Sequence, residues 1–182
     1  MITRRQLGQA GLTALTGVAL MRLFETSKAA AGETFEVNHS KEEWRRMLSP
    51  EQFYVLREHG TERAGTSPLD REKRAGTFTC AGCELPVFSS EQKFDSGTGW
   101  PSFTKPIEVK FVAVESDVSW GMVRDEVHCS VDGAHLGHVF DDGPRPTNKR
   151  YCINSASLRF MPREQYNAWV ESHGEQKMTA AQ

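Results

Sequence analysis

From residue 77 onward the apolar positions fall in short runs. Segments 77–80, 86–89, 109–114, 120–129 and 151–160 are rich in β-branched and aromatic residues, and turn clusters such as Asp95-Ser96-Gly97 and Asp141-Asp142-Gly143-Pro144 separate them. Strands that follow one another without intervening helices predict antiparallel sheets rather than alternating β and α units. The flanks read differently. Ser40-Lys41-Glu42-Glu43-Trp44-Arg45-Arg46-Met47-Leu48 predicts a short helix capped by Ser40, with Glu43 completing a capping box. Ser49-Pro50-Glu51-Gln52 opens a second helix with Pro50 at its first position and Gly60 as its stop. Residues 61–75 are polar and are expected to be an extended surface segment. Residues 162–173 predict a short C-terminal helix.

The chain has 182 residues, enough for one domain with a real core. Its 38% hydrophobic and 25% charged content is that of a soluble globular protein. The net charge of −2 hides an asymmetry: Arg4, Arg5, Arg22 and Lys28 face only Glu25 in residues 1–31, which leaves the remainder at about −5. An acidic body argues against nucleic acid as a partner. Thr3-Arg4-Arg5-Gln6-Leu7-Gly8, a moderately apolar stretch and Ser27-Lys28-Ala29-Ala30-Ala31-Gly32 follow one another as in a twin-arginine export signal, with cleavage after Ala31 or Ala29. An amphipathic helix or an uncleaved anchor is the alternative. The reading divides the chain into a signal, residues 1–31, and one domain, residues 32–182, exported and periplasmic.

Arg150-Tyr151-Cys152-Ile153-Asn154-Ser155 is the run richest in chemistry. On a strand, Arg150, Cys152 and Asn154 share one face, while Tyr151, Ile153 and, further on, Leu158 suit a core. A guanidinium beside a thiol favours the thiolate, so Cys152 is expected to have a lowered pKa and to be nucleophilic. A buried structural cysteine is the plainer alternative. Cys80-Ala81-Gly82-Cys83 has the spacing of a metal knuckle, and Cys129-Ser130-Val131-Asp132 repeats it with a carboxylate in last place. Three thiolates and Asp132 make an acceptable zinc site. His128 is a weaker candidate, because its neighbour Cys129 points to the other face of a strand. Redox use of Cys80, Cys83 and Cys129 is the competing reading.

Directly after this pair come His135-Leu136-Gly137-His138 and, shortly beyond, Asp142. On a regular strand the two imidazoles would face opposite ways, but a bend or bulge at Gly137 would bring them together for proton transfer. Asp142 is placed to orient a histidine or a water. Trp100, held between Gly99 and Pro101, suits either a pocket wall or a core position.

Together these stretches resemble the B-type methionine-R-sulfoxide reductases. The likeness runs from about residue 42 to residue 160. It rests on Leu56-Arg57-Glu58-His59-Gly60-Thr61-Glu62, Cys80-Ala81-Gly82-Cys83, Gly97-Thr98-Gly99-Trp100-Pro101-Ser102-Phe103, His135-Leu136-Gly137-His138-Val139-Phe140 and Arg150-Tyr151-Cys152-Ile153-Asn154-Ser155. The resemblance implies a mainly β fold of two antiparallel sheets with short N-terminal helices. It implies that Cys152 attacks the sulfur of an R-epimer methionine sulfoxide and becomes a sulfenic acid. Arg150 would stabilise the thiolate, His135, His138, Asn154 and Asp142 would line the site, and Trp100 would hold the substrate methyl group. A structural zinc and a thioredoxin-like reductant are implied as well, with oxidised exported proteins as substrate and a monomer as the working form. The chain departs from the family pattern at Thr98, where many members carry a resolving cysteine, and at Asp132, where zinc-binding members carry their fourth. The rival reading is a zinc-knuckle binding module without catalysis.

Overall fold

Reciprocal capping starts both N-terminal helices of the computed structural model, which describes residues 35–173. The proposed signal, residues 1–31, lies outside them. Helix α1 (Lys41–Met47) is capped by Ser40, whose hydroxyl accepts from the Glu43 amide while the Glu43 carboxylate accepts from the Ser40 amide. Ser49 and Gln52 do the same for α2 (Pro50–Glu58), which begins on the proline. This helix ends on His59 in the left-handed region, with φ 52°, one residue before the expected Gly60. Trp44, Leu48, Phe53, Val55 and Leu56 form the buried face of the pair.

Nine strands follow among the described residues: β1 (Gly76–Cys80), β2 (Pro86–Ser89), β3 (Lys93–Phe94), β4 (Ser102–Phe103), β5 (Val112–Asp117), β6 (Arg124–Cys129), β7 (His135–Phe140), β8 (Arg150–Ile153) and β9 (Leu158–Pro162). They form two antiparallel sheets, β2-β1-β9 and β3-β4-β8-β7-β6-β5, as expected. The aromatic core joins the sheets. Phe103 of the larger sheet stacks on Phe88 of the smaller with centroids 4.5 Å apart, and Phe78 meets it edge-on at 5.0 Å. Helix α3 (Arg163–His173) closes the described chain where the C-terminal helix was expected.

Three predicted strands need correction. Residues 109–111 make a 3-10 turn before β5, and another at Ser119–Gly121 delays β6 to Arg124. The expected strand at 151–160 is two strands in different sheets, separated by a 3-10 turn at Ser155–Ser157. The cause of that break is Glu62, which sits in the segment expected to be extended on the surface. It is 6% exposed, and its carboxylate accepts from the amides of Ser155 and Ala156 at 2.7 Å each. Two amides directed at one carboxylate cannot also continue a ladder, so the chain leaves the larger sheet and re-enters the smaller one.

Glu62→Gln retains a single carbonyl acceptor for the two amides, one of them fully buried. It should lower unfolding free energy by about 1–3 kcal/mol. An unchanged urea midpoint would show that these bonds do not hold the turn.

Candidate active site

The register of the larger sheet lays a row of side chains across four strands. Glu126 of β6 pairs with His138 of β7, His138 with Cys152 of β8, and Cys152 with Ser102 of β4. Residues opposite one another in adjacent strands share a face, and those two along the strand join them. Phe140 therefore pairs with Arg150 on the same face as His138 and Cys152. A cavity of about 130 Å³ opens over this row, and its walls include Trp100, His138, Phe140, Cys152 and Asn154. Trp100 donates its indole N–H to the Glu62 carbonyl at 3.2 Å, so the loop-held tryptophan stands as a wall of this cavity, outside the core.

Both histidines reach this region, by the kind of irregularity that their spacing required. The β6–β7 register shifts at Val127/His128, so that Gly137 opposes Val127 while His135 opposes His128, and Leu136 takes the extra place. The His135 and His138 ring centroids come within 5.5 Å. Gly137 is needed for its neighbour, because a Cβ there would overlap the Cys152 carbonyl oxygen.

Their partners are residues that the sequence did not single out. His138 bonds through Nε2 to Asp117 at 3.0 Å, and His135 bonds through Nδ1 to Glu126. Asn154 settles the His135 tautomer. Its Oδ1 accepts from the Glu62 amide at 3.1 Å and its Nδ2 donates to the Leu136 carbonyl at 3.1 Å, so the amide orientation is determined. The same Nδ2 lies 3.5 Å from His135 Nε2, which must be the acceptor. His135 accordingly carries its proton on Nδ1 and donates it to Glu126. Burial lowers the pKa of His138, with Asp117 opposing, and so favours a neutral ring. Burial alone would raise Glu126, but the imidazoles of His128, His135 and His59 around the carboxylate outweigh it and keep the group ionised.

Asp142 does not touch a histidine. It clamps Arg150 by two bonds of 2.8 Å, to Nε and Nη2, while the guanidinium lies 4.4 Å from the Phe140 ring centroid. The expected low pKa of Cys152 is also corrected. Burial pushes the thiol up, and the Arg150 charge offsets this only in part. The Thr98 hydroxyl stands 4.0 Å from the Cys152 sulfur, where a second thiol was looked for.

The other cysteines form a separate cluster built from two matching knuckles. The Glu84 amide bonds the Cys80 carbonyl and the Cys80 amide bonds the Leu85 carbonyl; Gly133, Cys129 and Ala134 repeat both bonds at the same offsets. Glu84 and Gly133 both have φ 64°. Cys80, Cys83, Cys129 and Asp132 thereby bring four ligand atoms within 4.8 Å of one another. The Cys83 and Cys129 sulfurs are 3.5 Å apart, and Cys80 Sγ is 3.7 Å from both Asp132 oxygens. A tetrahedral metal bonded to sulfur at ~2.3 Å has edges of ~3.8 Å, so the donor set can hold a metal. Hydrogen bonds from Cys129 and Cys80 bring the Cys83 thiol down to about 5. His128 lies outside the cluster. Asp132 is 2% exposed, and Arg57 clamps it at 2.6 Å through both Nη atoms, one to Oδ2 and one to the carbonyl. The turn at Gly82 allows this, since a Cβ there would overlap Asp132 Oδ2.

Comparison with known proteins places these features in context. Residues 48–162 match the SelR domain. A peptide methionine sulfoxide reductase MsrB of Leptospira interrogans is 53% identical over 126 residues, 69% of this chain and 96% of the relative. The MsrB proteins of Pseudomonas putida and Bradyrhizobium diazoefficiens are each 55% identical, over 71% and 70% of this chain and 97% and 92% of their own lengths. The domain match over most of the chain and identity at this level make the chain a member of the MsrB family of peptide methionine sulfoxide reductases, oxidoreductases acting on methionine sulfoxide.

Proposed function

We propose that the protein reduces the R epimer of methionine sulfoxide in oxidised proteins, with Cys152 as nucleophile. The carrying observation is the juxtaposition of Cys152 with His138 under the Trp100 wall, beside Arg150 and Asn154. The Cys152 thiolate attacks the sulfoxide sulfur, and the substrate oxygen passes to Cys152 as the S–O bond to methionine is lost. The products are methionine and a cysteine sulfenic acid, after uptake of one proton. His138, neutral and fixed by Asp117, and His135, fixed by Glu126, are the groups proposed to handle that proton. Trp100 offers an apolar face to the substrate methyl group and so separates the epimers.

With Thr98 facing Cys152, the sulfenic acid is reduced by an external thiol. One thiol condenses with it to a mixed disulfide and water, and a second releases Cys152 and leaves with the first as a disulfide. A thioredoxin-like dithiol supplies both. Zinc is the metal proposed for Cys80, Cys83, Cys129 and Asp132, where it would tie the two knuckles together. The paired Arg4 and Arg5 support export by the twin-arginine machinery, and with it repair of periplasmic proteins by a monomeric enzyme.

Cys152→Ser should abolish dithiothreitol-driven reduction of a racemic sulfoxide peptide while leaving the circular dichroism spectrum unchanged; the wild type should consume only the R half. Turnover by the variant, or equal consumption of both epimers, would refute the assignment. Arg150→Ala removes the charge that offsets burial at Cys152, so the thiol pKa should rise further. Site-resolved alkylation of Cys152 followed against pH should then shift to higher pH, and an unmoved profile would deny Arg150 that role. Elemental analysis should find about one zinc per chain, and less than half of that in Asp132→Ala. No zinc, together with a disulfide among Cys80, Cys83 and Cys129 by mass spectrometry, would replace the metal reading with a redox one.

A further inference from the structure

Three imidazoles from three elements converge on the carboxylate of Glu126; His59, His135 and Glu126 line a cavity of about 420 Å³ that also has His138 in its wall. His59 comes from the end of α2, His128 from β6 and His135 from β7. His59 Nδ1 lies 2.7 Å from Glu126 Oε1, and His135 Nδ1 bonds the same oxygen. His128 is 8% exposed; its Nε2 lies 3.5 Å from Glu126 Oε2 and makes no hydrogen bond among the described residues. The three ring centroids are 5.6, 5.8 and 6.2 Å apart.

We propose that His59, Glu126 and His135, with His128 beside them, bind a borderline divalent cation, at a site separate from the cysteine cluster. The ligand atoms of the first three lie within 4.8 Å of one another. A cation bonded to nitrogen and oxygen at ~2.0–2.2 Å holds its ligands roughly 3–4 Å apart, so small side-chain movements complete the site. Imidazole with one carboxylate suits Zn²⁺, Ni²⁺ or Cu²⁺ better than Mg²⁺ or Ca²⁺. Asp117 and Glu115 add negative potential around His59, and Arg124, also in this cavity wall, opposes it. The His59 side chain is 59% exposed, which gives a cation a way in from solvent.

Occupancy would reach the catalytic cavity through His135. A cation at Nδ1 displaces the proton held there, and the metal-bound neutral ring takes up its one proton on Nε2 instead. That proton points at the Asn154 NH₂ group, donor against donor. Asn154 cannot turn its oxygen to it without losing the bonds to Glu62 and Leu136. Cation binding is therefore expected to inhibit sulfoxide reduction, a consequence that rests on the catalytic reading above, whereas the binding site itself does not.

The test titrates Ni²⁺ into the full-length protein labelled with ¹⁵N-histidine. The paramagnetic ion should broaden the side-chain signals of His59, His128 and His135 before that of His39. His59→Asn, which suits the left-handed conformation there, should weaken Ni²⁺ binding at least tenfold by calorimetry, as should Glu126→Gln. Sulfoxide turnover by the wild type should fall over the range in which Ni²⁺ binds. Broadening that spares the three histidines, or affinity unchanged in His59→Asn, would overturn the site. The expected broadening in a protein without sulfoxide turnover would support the site and count against the catalytic reading instead.

Discussion

Two backbone amides directed at the buried Glu62 carboxylate hold the structure's functional geometry together. Those amides, of Ser155 and Ala156, end the strand that carries Cys152 and turn the chain into the second sheet. The backbone of Glu62 extends the constraint in two further directions. Its amide positions the Asn154 oxygen and its carbonyl receives the Trp100 indole. One residue in an otherwise irregular segment thus couples the end of the nucleophile's strand, the amide that faces His135 and the tryptophan wall. Charge-assisted bonds out of contact with water are strong enough for this, and leaving any of them unmet is costly.

A second level of order is the row across the sheet. Antiparallel pairing sets Cys152 beside His138, and His138 beside Glu126. Carboxylates fix the basic groups: Asp117 holds His138, Glu126 holds His135, and Asp142 holds Arg150. Each basic or amphoteric group near Cys152 therefore has an acidic partner. That arrangement limits how far Arg150 can offset burial at the thiol, because a guanidinium clamped by a carboxylate projects less field.

The cysteine cluster acts on a different part of the fold. Arg57 bonds Asp132 while its guanidinium stacks 3.6 Å from the Trp44 ring centroid, so α1, α2 and the second knuckle are joined through one side chain. Burial raises the Asp132 carboxyl to about 6, with Arg57 opposing the rise. A carboxylate in the place of a fourth thiolate thus has a structural use here, since its Oδ2 accepts one arm of Arg57 while the Asp132 backbone carbonyl accepts the other.

Local chemistry was legible in the sequence wherever it depends on neighbours along the chain. The capping box of α1, the proline start of α2, the two-sheet β class, the shared face of Arg150 and Cys152 and the repeated knuckle spacing all follow from offsets of two to four residues. The family motifs were equally open to reading. What the sequence left undecided involves partners far apart in number. Glu62 lies more than ninety positions from the amides it binds, and Asp117 lies 21 from His138. Nothing in the composition of residues 61–75 distinguishes a buried acid from a solvated one, and nothing in an alternating strand pattern names the acid opposite a given histidine. Strand register and sheet crossover decide those pairings, because a carboxylate is buried only where the assembled fold offers it donors.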